Sequence, residues 1–143
     1  MKPTNFNKAR RHYCQIVTAL VCDDAIKAGI IDESRVTPLL FFFILAWKND
    51  KIRKWICHGK KDRINDRRMI MLIGFLYDTG LAFSSRCRKT SIGRLLVHLN
   101  VFSKISNQET VKNYMKEQMS KVVQEAAYEI FSEIWKTHQK NAK

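Results

Sequence analysis

The sequence predicts an all-α fold, a compact bundle of five or six helices with a long C-terminal helix. Three observations predict it. Apolar residues recur at i, i+3/i+4 almost throughout, and no segment alternates like a half-buried strand. Only 5 Gly and 2 Pro occur in 143 residues, too few for the turns of a β-sandwich or barrel. At 45% hydrophobic residues the chain is also too apolar for a disordered polybasic tail. No repeat, low-complexity tract or Pro/Ser-rich linker interrupts the pattern, so residues 1–143 are expected to form one helical domain.

Phe6, Tyr13, Ile16, Val17, Leu20 and Val21 define the first helical stripe, which runs out at Gly29, a C′-type residue. Thr37-Pro38 reads as a helix start, a capping hydroxyl followed by a ring whose missing N–H costs nothing there. Leu39 to Trp47 is apolar on all sides and is expected at the centre of the bundle. A short helix with Ile52, Trp55 and Ile56 should stop before Gly59. Asn65 or Asp66 can cap the next, whose inner face is Ile70, Ile73, Leu76 and Tyr77 and which Gly80 closes. Thr90 or Ser91 would cap a helix carrying Ile92, Leu95, Leu96, Leu99 and Phe102. Ser106-Asn107-Gln108-Glu109 reads as a capping box. It would open a final helix of about 30 residues, long enough to break or to project towards a partner. The inner stripe of that helix is Val111, Met115, Val122, Ala126, Ile130 and Ile134.

The four cysteines, Cys14, Cys22, Cys57 and Cys87, fit reduced thiols better than a disulfide scaffold, because such scaffolds are short, loop-rich and secreted. Ile16–Cys22 is a poor signal-peptide core, and Asp23-Asp24 is no cleavage site. The apolar run from Leu39 to Trp47 is too short for a membrane span. A cytoplasmic protein is expected, or a nuclear or virion protein for a eukaryotic or viral source, with no integral membrane segment.

The formal net charge is +13, from 26 Lys+Arg and 13 Asp+Glu, and its distribution says more than its total. Residues 1–13 carry +4, residues 48–68 carry +6 and residues 79–108 carry +5 with no acid, whereas 14–47 carry −2 and 109–143 only +1. A surface built only for solubility would mix the signs. Basic blocks raise the local anion concentration and release counterions from DNA or RNA. The expected phosphate contacts are Lys48, Lys51, Arg53, Lys54, Lys60, Lys61, Arg63, Arg67 and Arg68, with Arg86, Arg88, Lys89, Arg94 and Lys104. Arg86–Ser91 precedes a helix start, where cations, hydroxyls and free N–H groups suit a phosphate. The same cations should depress the Cys87 pKa and make its thiol reactive.

Two consecutive helices joined near Phe102–Ser106 carry the clearest functional pattern. Ile92–Leu99 would support, and Ser106–Met119 would present Asn107, Gln108, Lys112, Asn113 and Lys116 while Val111, Met115 and Tyr114 pack inward. Asn and Gln read adenine edges, and Lys contacts guanine or phosphate. Other chemistries find little support. G-x-G-x-x-G, Walker, H-E-x-x-H and C-x-x-C patterns are absent, which argues against a nucleotide-dependent enzyme. His12 and Cys14 diverge on a helix, Cys57 and His58 are adjacent, and His98 and His138 lack partners at useful spacing, so no metal is expected. Asp23-Asp24 and Asp32-Glu33 are explained by capping, and Glu125, Glu129 and Glu133 by an exposed helix face. Trp47 and Trp55 are expected to pack in the core.

Thr110-Val111-Lys112-Asn113-Tyr114 resembles the "TVKN-H/Y" start of the recognition helix in LuxR-type response regulators. The resemblance implies that Val111 is a core anchor and Lys112 a DNA contact. Leu72-Ile73-Gly74-Phe75-Leu76-Tyr77-Asp78-Thr79-Gly80 resembles the "LIxALYxSG" segment in the C-terminal helical domain of RteC-type regulators of conjugative transposons. Ser91-Ile92 and the apolar residues through Phe102 follow the same rhythm. That resemblance covers about a third of the chain and implies a mobile-element regulator acting on DNA.

The expectation is therefore a non-enzymatic, cofactor-free nucleic-acid-binding protein with a regulatory or packaging role, DNA slightly favoured over RNA. A homo-oligomer through the C-terminal helix is a further expected partner. The alternatives are a helical adaptor or inhibitor on an acidic protein, and a small matrix-like protein on anionic membrane.

Overall fold

The computed structural model describes residues 6–60, 63–80, 83–84 and 86–141. In chain order the helices are α1 (Phe6–Val21), α2 (Asp23–Lys27), α3 (Val36–Lys48), α4 (Asp50–Cys57), α5 (Asp66–Thr79), α6 (Lys89–His98), α7 (Gln108–Met115) and α8 (Lys121–Asn141), with a 3₁₀ turn at Glu33–Arg35. The fold is all-α. Among the described residues the extended structure is one isolated bridge between Ile31 and Phe83, supported by the Ser84 N–H donating to the Ile30 carbonyl at 3.0 Å. It clips the loop after α2 to the loop after α5.

Among the described residues eight α-helices form, seven of them eight residues or longer, against five or six expected. The difference comes from two breaks. The first stripe does not run to Gly29. Cys22 is extended and α2 restarts at Asp23, whose carboxylate and that of Asp24 favour a helix N-terminus. Gly29 then ends α2 with φ +74°. Its N–H reaches the Ile26 carbonyl and the Ile30 N–H the Ala25 carbonyl, the paired bonds of a Schellman cap.

The second break divides the expected C-terminal helix between Met115 and Lys121. Residues 106–115 must lie against α5 and α6, whereas α8 lies across α3 and α4. No straight helix serves both. The Gln124 side chain fills the gap, donating to the Met119 carbonyl at 2.7 Å.

Helix ends follow side-chain oxygens only in part. Asn65 caps α5 as expected, its Oδ1 accepting from the Arg68 N–H at 3.0 Å, and Gly80 closes that helix in the left-handed conformation. Three expected starts are corrected. α3 begins at Val36, fed by the 3₁₀ turn, so Thr37 and Pro38 lie inside its first turn, where a missing N–H is harmless. α6 begins at Lys89 on an Arg88 N-cap with no side-chain bond, leaving Thr90 and Ser91 inside the helix. α7 is capped by Asn107, which accepts from the Glu109 N–H at 2.8 Å, and not by Ser106.

Buried side chains from Ala9 to Ile134 form one contiguous core. At its centre the Tyr13 hydroxyl donates to the Phe43 carbonyl at 2.6 Å, and burial pushes that hydroxyl's pKa well above the usual tyrosine value. α7 sits unusually close to its neighbours. A Cβ at Gly74 of α5 would fall 2.1 Å from the Met115 carbonyl oxygen, and one at Gly93 of α6 would fall 2.8 Å from that of Gln108. α3 is not enclosed on all sides as expected. Leu39, Phe42, Phe43 and Ala46 are buried, but Phe41, Ile44 and Leu45 are exposed.

Candidate functional site

Basic residues from two sequence blocks meet in a surface recess of about 540 Å³ where α1, α5 and the α6–α7 connection come together. The loop entering α5 sets one wall. The Asn65 N–H donates to the Ile56 carbonyl at 2.8 Å, which ties the capped N-terminus of α5 to the end of α4. Lys60, Arg63 and Arg67 flank this point, and Lys104 approaches from the turn after α6. The two basic blocks, distant in sequence, thus share one cavity through Lys104.

Two histidines line the same recess. His12 is held by a 2.7 Å contact between Nε2 and the Val101 carbonyl. A carbonyl only accepts, so the proton sits on Nε2. Its ring also packs edge-on to Phe102, with centroids 6.3 Å apart. His58 follows α4 in the left-handed conformation at φ 48°. Asp66 is the one carboxylate among the described residues that line it. Burial raises its pKa, and the nearby His12 and Lys104 charges pull it back down. A site with four cations, two imidazoles and one partly buried carboxyl is electropositive. Free N–H groups at the first turn of α5 add to it.

The remaining candidate residues divide into those facing solvent and those used internally. Lys48, Lys51, Lys54, Lys60, Arg63, Arg86, Arg88, Lys104, Asn113 and Lys116 are exposed, and the cations among them make no ion pair with a described carboxylate. Arg94 is exposed and its Nε reaches Gln108 Oε1 at 3.5 Å. Five of the candidate cations have partners within the chain. Arg53 donates to the Trp47 carbonyl at 2.9 Å and pairs with Asp50. Arg68 donates to the Trp55 carbonyl at 2.9 Å with its guanidinium 5.1 Å from the Trp55 ring centroid, and desolvation lowers its pKa. Lys89 pairs with Asp78 at 3.1 Å over the Tyr77 ring, and Lys112 pairs with Glu109 at 2.9 Å.

Arg67 forms a two-pronged bond with Glu117, Nε to Oε2 at 2.8 Å, while stacking over Tyr114 at 5.0 Å. The pair holds the Glu117 carboxyl below the usual carboxylate range. It also fastens the end of α7 to α5. Lys61 lies outside the described residues.

Asn107 spends its side-chain oxygen on the α7 cap. Val111 and Met115 are buried and Tyr114 is partly buried, so α7 turns Gln108, Lys112, Asn113 and Lys116 outward to differing degrees. Residues 99–107 separate α6 from α7, a longer connection than the three or four residues of a helix-turn-helix. Trp47 and Trp55 are partly buried against the core.

Cys87 is corrected outright. Its thiol is buried and contacts the Arg88 carbonyl at 3.4 Å. Desolvation pushes its pKa up to about 11, opposite to the activation expected from its cationic neighbours. Arg86 and Arg88 point to solvent, so they cannot offset the loss of water around the sulfur. None of the four cysteines forms a disulfide. Among the described residues no three of His, Cys, Asp and Glu converge on a metal-sized site, and no helix is long and apolar enough to cross a membrane.

The recess residues missed at the level of sequence are His12, His58 and Asp66. Each is ordinary in its own segment; the Asn65–Ile56 bond joins the ends of α4 and α5, and the His12–Val101 contact brings α1 to the α6–α7 connection beside them. In comparisons with protein-family models, curated proteins and solved structures, nothing matches this chain.

Proposed function

We propose that the chain is a non-enzymatic nucleic-acid-binding protein that seats backbone phosphates in the α1/α5 recess, serving a regulatory or packaging role. The observation that carries this reading is the convergence of Lys60, Arg63 and Lys104 with His12 and His58 around the capped start of α5. Cations gathered from two separate segments, with a single carboxyl among the described lining residues, concentrate positive potential where an anion can be desolvated. A second basic cluster, Arg86 and Arg88, lies near the far end of α5, next to the Lys89–Asp78 pair. About 16 Å of helix rise separates Arg67 from Asp78, so one polyanion can reach both. DNA is favoured over RNA through the outward polar residues of α7, and LuxR-like and RteC-like segments fit the same reading.

Gel-shift titration at several salt concentrations tests it. Contact with about five to eight phosphates gives a slope of log K against log salt of roughly −4 to −7. Lys104→Glu and Arg63→Glu should each weaken binding at least tenfold and flatten that slope by about one unit. No shift at low salt, or a shift indifferent to salt, would remove the proposal.

A further inference from the structure

Among the described residues, three of the five exposed large hydrophobic side chains lie on the outer side of α3. Phe41, Ile44 and Leu45 are 53%, 49% and 39% exposed, and with Lys48 they form a crest opposite the buried face of the helix. A groove runs along each side. Between α1 and α3 the groove holds about 330 Å³, with Ile44 and Leu40 in its wall, Arg10 at its rim and no acid. Between α3 and α8 it comprises hollows of about 760 and 300 Å³, walled by Phe41 and Leu45 and rimmed by Glu129 and Glu133.

We infer that this face docks a second copy of the chain, two-fold related, with the α3 crest of each copy seated in the α3–α8 groove of the other. Crest and groove are the shapes by which helices pack, and an isologous interface requires one surface to carry both. The charges choose the orientation. A two-fold axis parallel to α3 lays the α8 edge of one copy, Glu129 and Glu133, into the α1–α3 groove of the other, against Arg10. It also brings each Lys48 to the acidic wall of its partner. An axis across α3 would set acid against acid and Arg10 against Arg10.

The same acidic edge disfavours an anionic membrane, which would accept the crest but repel Glu129 and Glu133. Three adjacent helices over the length of α3 offer a face about 25 Å by 20 Å. That is of the order needed for the roughly 800 Å² per partner of a stable interface. The basic recess stays open in this dimer, because His12 and Arg10 point about 200° apart around α1. The inference is therefore independent of nucleic-acid binding.

Sedimentation equilibrium of nuclease-treated protein in high salt is the test. Between about 1 and 100 µM the mass should rise towards twice the 16.8 kDa of one chain. Ile44→Glu, a change at an exposed site, should raise the dimer dissociation constant at least tenfold with helical content unchanged. Arg10→Glu should weaken association several-fold, and adding Glu129→Arg and Glu133→Arg should restore it. A chain that stays monomeric throughout overturns the inference, as does an Ile44→Glu variant as dimeric as the parent. Flotation of the monomer with anionic phosphatidylserine vesicles, lost in Ile44→Glu, would overturn it in favour of a membrane face.

Discussion

Asp66 and Cys87 show how burial overrides nearby positive charge. Both sit beside cations that favour an anion, and both have raised pKa values because partial burial removes the water that would stabilise it. For Asp66 the sign follows directly. The raised value contributes stability below the ordinary aspartate range, near pH 3.9, and that contribution is lost as pH rises through the raised value. Asp66→Asn should therefore gain stability relative to the parent as pH climbs across that window in urea titrations. At neutral pH it also deletes a carboxylate from the recess and should tighten polyanion binding by about 1 kcal/mol, roughly fivefold. A thiol with a pKa of about 11 is almost wholly protonated at pH 8. Iodoacetamide followed by peptide mass spectrometry should label the exposed Cys14 first, with Cys87 protected until the protein unfolds.

Among the elements, α7 is the most constrained. It is only eight residues long, too short to be stable alone, and it is fixed by near backbone contact with α5 and α6. Gly74→Ala should destabilise by about 2–4 kcal/mol in chemical denaturation, because the new methyl meets a backbone carbonyl that cannot rotate away. The caps separate real from apparent start signals. Asn65→Ala should lose about 1 kcal/mol, whereas Ser106→Ala should be nearly silent, since Asn107 makes the bond. Both residue types pass as N-caps in the sequence. Which of them caps depends on where the chain turns to enter its helix, and packing sets that turn.

For the molecule as a whole, the question is whether the recess and the Arg86–Arg88 cluster act on one ligand. A short single strand of about four nucleotides should feel Lys104→Glu but not Arg86→Glu. A strand of about twelve nucleotides should feel both, with the two losses adding because the sites share no contact. Fluorescence anisotropy with the two oligonucleotides measures this. Equal sensitivity of the short strand to both substitutions would mean the clusters are closer than α5 makes them.

The all-α class, the position of α5 with its Asn65 cap and Gly80 end, and the inward placing of Val111 and Met115 were legible in the sequence, because local periodicity and capping chemistry act over a few residues. So was the imbalance of charge. The break before α8, the open side of α3 and the company of His12 with Lys104 were decided only in three dimensions, since each depends on which helices compete for the same core surface. The same competition sorted the cations. Local sequence marks a side chain as positive, but tertiary packing determines whether a carboxylate, a carbonyl or an aromatic ring already stands beside it.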